Sequence, residues 1–170
     1  MEAVTIIDVL RRADINVVTA GLDDEPIRGS RGVTLIADTN INKIVDDVFD
    51  MVVLPGGLPG STHLGQDSRI ISLLKKAEKE GRFIAAICAA PKILANLGLL
   101  NNKQATAYPG VLEKSAFSEV QITNQAVVWD GQMITSRGPG TALDFALTLV
   151  ESLVGKTIRN NVEQGLARTG

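Results

Sequence analysis

The chain contains a single cysteine, Cys88, and a single histidine, His63, among its 170 residues. One cysteine cannot form a disulfide within the chain, which is typical of proteins in a reducing compartment. One cysteine and one histidine are also too few to build a structural zinc site. We therefore expect a cytoplasmic protein that has no metal site.

The chain also lacks a strong charge of either sign and any long apolar run. Lys plus Arg number 17 and Asp plus Glu number 19, and no basic stripe is present, so nucleic acid is a poor candidate partner. The longest apolar runs, such as residues 83–90, are too short to span a bilayer, and no signal peptide opens the chain. The hydrophobic content of 45% is ordinary for a globular protein, and the length indicates one domain over residues 1–170. We expect no membrane partner.

Two kinds of apolar pattern alternate along the chain. Runs of apolar and β-branched residues predict strands at 15–20, 33–37, 50–54 and 83–87. Apolar residues at helical spacing predict helices at 2–12, 67–80, 89–97 and 141–154, the last with Thr141 as its cap. Asp130-Gly131 between apolar flanks predicts a hairpin over 127–135. The fold class is therefore α/β, with a doubly wound, mostly parallel, flavodoxin-like sheet and a β-hairpin insertion.

The first predicted element is a helix, although a fold of this class normally opens with a central strand. A missing central strand would leave two neighbouring strands with unpaired backbone groups, which is costly when those groups are buried. We therefore expect a segment ahead of Met1, or a partner chain, to fill that position.

Cys88, which has the most reactive side chain of the sequence, lies where a predicted strand meets a predicted helix. In residues 83–91 an apolar strand runs into Cys88, which has alanines on its helical side and is followed by Pro91. Small neighbours give room for a strained elbow at a nucleophile. Helix N-terminal amides, including that of Ala89, lower a thiol pKa and can hold an oxyanion. We expect Cys88 to have a depressed pKa or to be oxidised. The alternative is a buried cysteine that only packs.

Residues 85–91 resemble the cysteine motif of the ThiJ/PfpI superfamily, in the branch of the Parkinson's-disease-associated protein deglycase and the bacterial YajL proteins. Four further blocks match in family order, at residues 1–4, 30–33, 53–57 and 135–141. The resemblance implies that Glu2 hydrogen-bonds the reactive sulfur. It also implies supporting roles at the site for Gly56, Gly57 and Arg31.

The same resemblance implies a glutathione-independent glyoxalase or protein deglycase that protects against oxidative stress. Cys88 would attack a reactive dicarbonyl or an early glycated adduct, and Glu2 would move protons. Such chemistry needs no cofactor, because electrons are redistributed within one molecule. The family also implies a homodimer, with the helix that begins at Glu2 near the interface and Arg31 close to the dimer contact.

Two alternatives remain. In one, the protein is a non-catalytic redox sensor or chaperone that uses oxidation of Cys88 to a sulfinate. In the other, which is less favoured, it is a PfpI-like cysteine peptidase or a glutamine amidotransferase, both of which need a histidine base. The human relative and the protease-like branch have a histidine before the proline that matches Pro109, whereas this chain has Tyr108. His63 lies upstream, in a segment predicted to be a polar loop.

Overall fold

The computed structural model describes residues 1–168, which contain six α-helices, ten β-strands and two 3₁₀ turns. The helices are α1 (Glu2–Arg12), α2 (Gly60–Gln66), α3 (Ser68–Lys79), α4 (Pro91–Asn96), α5 (Ala142–Val154) and α6 (Lys156–Gly165). The strands are β1 (Ala20–Gly21), β2 (Ile27–Arg28), β3 (Thr34–Leu35), β4 (Thr39–Asn40), β5 (Met51–Leu54), β6 (Phe83–Ile87), β7 (Gln104–Ala105), β8 (Gln121–Ile122), β9 (Val127–Asp130) and β10 (Met133–Ser136). The 3₁₀ turns are Ile41–Lys43 and Pro139–Thr141.

The central sheet has four strands in the order β5-β6-β10-β9. β5, β6 and β10 are parallel to one another, and β9 runs antiparallel to β10. The predicted hairpin is confirmed: Asp130 pairs with Met133 across a two-residue turn in which Gly131 has a φ of 60°. The hairpin is not an insertion beside the sheet, however, because β10 pairs with β6 inside it.

Both faces of this sheet are covered, as expected for a doubly wound fold. Side chains alternate along β6, so Ile84 and Ala86 pack in one core with α3 and α4. Ala85 and Ile87 pack in a second core with α1 and α5, where Phe145 has no exposed surface. A strand buried on both faces accounts for the continuous apolar run of β6.

α1 packs on α5 through one apolar face. Ile6, Val9 and Leu10 are buried at helical spacing, and two arginines in the last turn suit the negative end of the helix. Glu2, in the first turn, is also buried. Because α1 packs in this way, the Glu2 carboxylate lies at the carboxyl ends of β5 and β6, where the loops after these strands meet.

The predicted strand at 15–20 is largely wrong. Only Ala20–Gly21 forms a strand, β1, and it pairs in parallel with β4. Residues 15–19 alternate between partly buried and exposed positions, as a strand does, but Thr19 alone among them bonds to another strand segment, through its carbonyl. An extended segment becomes a ladder only when a neighbouring strand lies alongside it. The predicted strand at 33–37 is shorter, since only β3 forms, paired with β2.

Two helices were absent from the sequence-based prediction. Residues 60–65, predicted as a polar loop, belong to α2, and α6 follows α5 after Gly155, whose φ is 88°. α2 has glycines and polar residues rather than an apolar stripe, so its sequence carries little helical signal. The boundary before α3 is marked more clearly, because the Asp67 carboxylate caps that helix by accepting a 2.9 Å bond from the Arg69 N–H.

No helix within residues 1–168 is long and apolar enough to cross a membrane.

Candidate active site

Cys88 lies between the end of β6 and the start of α4, and its backbone has a φ of 66°. A non-glycine residue in this left-handed region costs about 1–3 kcal/mol, so it persists only where its surroundings hold it. The Cys88 N–H donates to the Ser136 carbonyl at 2.9 Å, and its carbonyl accepts from the Tyr108 N–H at 3.0 Å. The prediction of a strained elbow is confirmed, and the restraint comes from two backbone hydrogen bonds.

The loop after β5 closes over the elbow through two adjacent glycines. A Cβ at Gly56 would lie 2.6 Å from the Cys88 Cβ and 2.8 Å from Glu2 Oε2, so only glycine fits between the sulfur-bearing residue and the carboxylate. Gly57 has a φ of 86°, a left-handed backbone conformation that glycine adopts without strain. The Gly57 N–H is turned toward the Cys88 sulfur and forms a hydrogen bond with it.

Glu2 is one of the few charged side chains that the fold buries, with 9% of its surface exposed. Its Oε2 accepts a 2.9 Å hydrogen bond from the Gly56 N–H. The carboxyl group is also hydrogen-bonded to the Cys88 thiol. The structure therefore brings together Cys88, Glu2, Gly56 and Gly57, which lie far apart in the sequence.

The surroundings of Cys88 disfavour its ionised form, the thiolate. Burial and the negative charge of Glu2 raise the pKa of Cys88 to about 11, although hydrogen bonds from the N–H groups of Gly57 and Ala89 act in the opposite direction. The prediction of a depressed pKa is therefore wrong for the thiol beside an ionised Glu2. The helix amides do lower the pKa, but burial of the thiol and the neighbouring Glu2 charge outweigh them.

The Glu2 carboxylate is also placed to accept the proton of the thiol. When the proton lies on the sulfur, the Glu2 carboxylate repels formation of the thiolate. When the proton lies on Glu2, that carboxyl becomes a hydrogen-bond donor to the sulfur, and the Gly57 and Ala89 amides complete the set of donors around it. Proton transfer within the pair can thus generate the nucleophile without releasing a proton to solvent.

Arg31 is not joined to this group. It is exposed in the turn between β2 and β3, and within residues 1–168 its guanidinium makes no hydrogen bond to the groups of the site. Its neighbour Ser30 is closer, because a Cβ at Gly57 would lie 3.1 Å from the Ser30 hydroxyl oxygen. The block at residues 30–33 therefore does reach the site, but through the serine.

His63 and Tyr108 have different relations to the cysteine. His63 is exposed on α2, and among the described residues it makes no hydrogen bond to Cys88. Tyr108 is 52% exposed and reaches the elbow through its backbone N–H, while its ring packs against Gly138. The structure thus places an aromatic ring, rather than a histidine base, at the rim.

Sequence analysis missed the polar support behind the elbow. The Ser136 carbonyl receives the Cys88 N–H, while the Ser136 hydroxyl donates to the Ala126 carbonyl at 2.9 Å and lies 2.7 Å from Thr141 Oγ1. The Thr141 hydroxyl donates a hydrogen bond to the Gly138 carbonyl, which precedes α5. Its side chain therefore does not cap that helix. A signal existed, since both hydroxyl residues belong to the matched block at 135–141.

The described part of the chain holds no group of three or more His, Cys, Asp or Glu side chains placed to bind a metal ion. The groups that the structure brings together at the site are a thiol, a carboxyl group and backbone amides. These groups can supply a nucleophile, a proton acceptor and donor, and an oxyanion site.

Comparison with known proteins agrees with this geometry. The family model described as the DJ-1/PfpI family matches residues 1–152. Protein dj-1beta of Drosophila melanogaster is 45% identical over 167 residues, which cover 98% of this chain and 89% of the relative. The glutathione-independent glyoxalase DJR-1.2 of Caenorhabditis elegans is 34% identical over 162 residues, which cover 95% of this chain and 86% of the relative.

Solved structures show the same fold. The crystal structure of Drosophila melanogaster DJ-1beta superposes with a TM-score of 0.93 at 44% identity, covering 99% of this chain and 91% of that chain. The oxidized form of Toxoplasma gondii DJ-1 superposes with a TM-score of 0.91 at 35% identity, covering 99% of this chain and 92% of that chain.

The tight fit at Gly56 predicts that Gly56→Ala disrupts the site. The added methyl group meets Cys88, Glu2 and the Ile87 carbonyl, all within 2.8 Å, so we expect a loss of about 1–3 kcal/mol in the free energy of unfolding and a changed rate of Cys88 alkylation by iodoacetamide. Gly60→Ala is the matched control, because a Cβ there meets nothing within 4 Å. Equal behaviour of the two variants in urea unfolding and alkylation contradicts this packing.

The raised pKa of Cys88 predicts an alkaline titration of the thiol that depends on the charge of Glu2. In the wild type the thiol proton leaves in the alkaline range, toward the pKa of about 11 that burial and the Glu2 charge produce. Glu2→Gln removes that negative charge, so the alkaline step observed at Cys88 moves to lower pH. The ¹³C chemical shift of the labelled Cys88 Cβ, followed against pH, measures it.

The exposed Asp8 offers a control for that titration, because it lies on the same helix and pairs with Arg12 at 2.7 Å. Asp8→Asn should leave the Cys88 titration unchanged. If Glu2→Gln leaves the alkaline step in place or raises it, the two groups are not coupled as described.

Proposed function

Because this chain belongs to the DJ-1/PfpI family, we propose that it is a cofactor-independent cysteine enzyme that converts reactive dicarbonyls such as methylglyoxal to hydroxy acids without glutathione. The observation that carries the proposal is the hydrogen bond between the Cys88 thiol and the buried Glu2 carboxyl group, beside the N–H groups of Gly57 and Ala89. The name of the Caenorhabditis elegans relative, a glutathione-independent glyoxalase, supports the same substrate class.

The first step joins the substrate to the enzyme. Cys88 Sγ attacks the aldehyde carbon of methylglyoxal, forming a C–S bond, while Glu2 takes the thiol proton and passes it to the aldehyde oxygen. The product is a hemithioacetal. The Gly57 and Ala89 N–H groups, which face the sulfur, lie where they can stabilise negative charge that develops next to it.

The second step moves a hydrogen between adjacent carbons. The Glu2 carboxylate removes the proton from the former aldehyde carbon, and the electron pair shifts to the neighbouring ketone oxygen to give an enediolate. Glu2 then returns that proton to the neighbouring carbon, while the hydroxyl proton on the former aldehyde carbon moves to the enediolate oxygen, which leaves a thioester of lactate. One carbon is oxidised and the other reduced, so no external redox cofactor takes part.

The last step releases the product. Water attacks the thioester carbonyl, the C–S bond breaks, and the departing sulfur takes a proton from that water by way of Glu2. The sum is methylglyoxal plus water giving lactate and a proton. The partly exposed Cys88 also suits a carbonyl-derived carbon held on a protein amine, so an early glycated adduct is a second substrate of the same chemistry, with hydrolysis releasing the repaired amine.

Some expectations from the sequence stay predictions. They are the homodimer with α1 near its interface, the role of Arg31 at the site, the cytoplasmic location and the single domain over the full chain. A peptidase or amidotransferase function is disfavoured by the exposed position of His63 on α2.

Oxidation of Cys88 is a second function that one observation favours. A sulfinate at Cys88 would place oxygens among the Gly57 and Ala89 N–H groups and a protonated Glu2, all of which can donate hydrogen bonds to it. The structure of Toxoplasma gondii DJ-1 is described as oxidized. The same site can thus act as a sensor of oxidants when Cys88 is not engaged in catalysis.

The enzyme proposal predicts lactate formation from methylglyoxal in the absence of glutathione. Cys88→Ser should abolish the activity, because the hydroxyl is a much weaker nucleophile, and Glu2→Gln should slow it by about 10²–10⁴-fold, as expected for loss of a general base. His63→Ala should keep full activity, because this histidine is exposed on α2. Wild-type activity in Cys88→Ser, measured as lactate released, overturns the proposal.

The sensor function makes a separate prediction. Treatment with hydrogen peroxide should add two oxygen atoms to the peptide that contains Cys88, since the surrounding donors stabilise the sulfinate. Peptide mass mapping separates this gain from oxidation of the three methionines. If the methionines oxidise while Cys88 gains no stable oxygen, the site does not act as a sulfinate sensor.

A further inference from the structure

The proposed reaction places negative charge on two oxygen atoms in turn. In the first step the charge develops on the former aldehyde oxygen, next to the sulfur, and in the second step it develops on the ketone oxygen of the enediolate. The Gly57 and Ala89 N–H groups face the sulfur, so they serve the first oxygen. The second oxygen is attached to the adjacent carbon and needs a hydrogen-bond donor of its own.

The other backbone N–H groups of the site are already engaged. The Gly56 N–H donates to Glu2 Oε2 at 2.9 Å. The Cys88 N–H donates to the Ser136 carbonyl at 2.9 Å, and the Tyr108 N–H donates to the Cys88 carbonyl at 3.0 Å. These amides do not serve the ketone oxygen, so its donor comes from a side chain.

A tight turn between β2 and β3 presents two polar side chains, those of Ser30 and Arg31, at its tip. The Gly32 N–H donates to the Gly29 carbonyl at 2.9 Å, and the Gly29 N–H donates to the Val33 carbonyl at 2.8 Å. Gly32 has a φ of 83°, which glycine adopts without strain. The backbone therefore holds the turn in shape, and a change of side chain at its tip leaves these bonds in place.

Ser30 lies against the loop that supplies one of the oxyanion amides. A Cβ at Gly57 would lie 3.1 Å from the Ser30 hydroxyl oxygen. Because a C–C bond adds about 1.5 Å, that oxygen is within about 4.6 Å of Gly57 Cα. The Gly57 N–H in turn bonds to the Cys88 sulfur. The hydroxyl group and the sulfur thus approach the same glycine, which has no side chain to fill the space in front of the hydroxyl.

The Ser30 hydroxyl is free to bind a substrate. Ser30 is exposed, and within residues 1–168 its hydroxyl group makes no hydrogen bond. A hydroxyl group donates one hydrogen bond and rotates to suit its partner. It can therefore turn toward a substrate oxygen without breaking an existing contact.

We propose that Ser30 donates a hydrogen bond to the ketone oxygen of the bound dicarbonyl and stabilises the enediolate charge that forms there. This inference rests on the proposed function and adds a residue to it. The first substrate oxygen lies by the Gly57 and Ala89 amides, and the second lies by the turn. The site thereby selects compounds with two adjacent carbonyl groups, because a simple aldehyde leaves the Ser30 hydroxyl without a partner.

Lactate formation from methylglyoxal measures the contribution of Ser30 to the reaction. Ser30→Ala should lower kcat about tenfold or more with a smaller change in KM, because the hydrogen bond strengthens as the ketone oxygen becomes negative. Ser30→Thr keeps a hydroxyl group and should retain most of the activity. Ser118→Ala, at another exposed serine, is the matched control and should behave as the wild type. The rate of Cys88 alkylation should be unchanged in all three variants.

A binding measurement tests the same hydrogen bond without turnover. Propanal has the carbon chain of methylglyoxal but lacks the ketone oxygen, and each aldehyde can form a hemithioacetal with Cys88. The ¹³C chemical shift of the labelled Cys88 Cβ reports both adducts in Glu2→Gln, in which turnover is slow. Adding Ser30→Ala should weaken the methylglyoxal adduct by about two- to tenfold, as expected for one neutral hydrogen bond, and leave the propanal adduct unchanged.

The two measurements separate this inference from the proposed function. If the wild type releases no lactate, the proposed function fails, and the ratio of the two adducts still decides whether Ser30 binds the ketone oxygen. An adduct ratio that is the same with and without the Ser30 hydroxyl overturns the inference. So does a wild-type kcat in Ser30→Ala when the enzyme is active. A loss of activity in Tyr108→Phe alone also overturns it, because the donor is then the tyrosine hydroxyl.

Discussion

The left-handed backbone at Cys88 is the constraint on which the site depends. It is held by the Ser136 carbonyl on one side and the Tyr108 N–H on the other, so strands and loops from distant parts of the chain must be in place before the sulfur is aimed. The strain of about 1–3 kcal/mol is sustained by a core in which β6 is fully buried on both faces. The nucleophile is therefore a product of the whole fold and not of the local sequence alone.

The buried Glu2 carboxyl group adds a second constraint of opposite character. The Glu2 carboxyl group lies beside the Cys88 thiol, and it is kept there by the packing of α1 on α5 and by the Gly56 N–H. The negative charge beside the thiol disfavours the thiolate, but it also provides a carboxylate that can accept the thiol proton. Gly56 keeps the two groups at this distance, since no larger residue fits there.

Sequence analysis was most successful where periodicity is strong and where motifs have fixed spacing. The strand at 83–87, the α3 helix and the 130–133 hairpin were all predicted, and the family resemblance is confirmed. The predicted strand at 15–20 was largely wrong, because residues 15–19 form a β-branched run but no strand within residues 1–168 pairs with them. The raised pKa of Cys88 was not predicted either, because it depends first on burial of the thiol and then on the charge of Glu2, and both follow only from the tertiary packing.

Tyr108 holds the elbow by its main chain, while its ring packs at the rim against Gly138. These two contributions are chemically separate, since any amino acid except proline supplies the same N–H. The identity of the rim side chain can therefore vary during evolution without loosening the nucleophile. One scaffold can in this way present an aromatic, a basic or a small residue at the entrance to the cysteine, and a change in selectivity need not begin with a loss of reactivity.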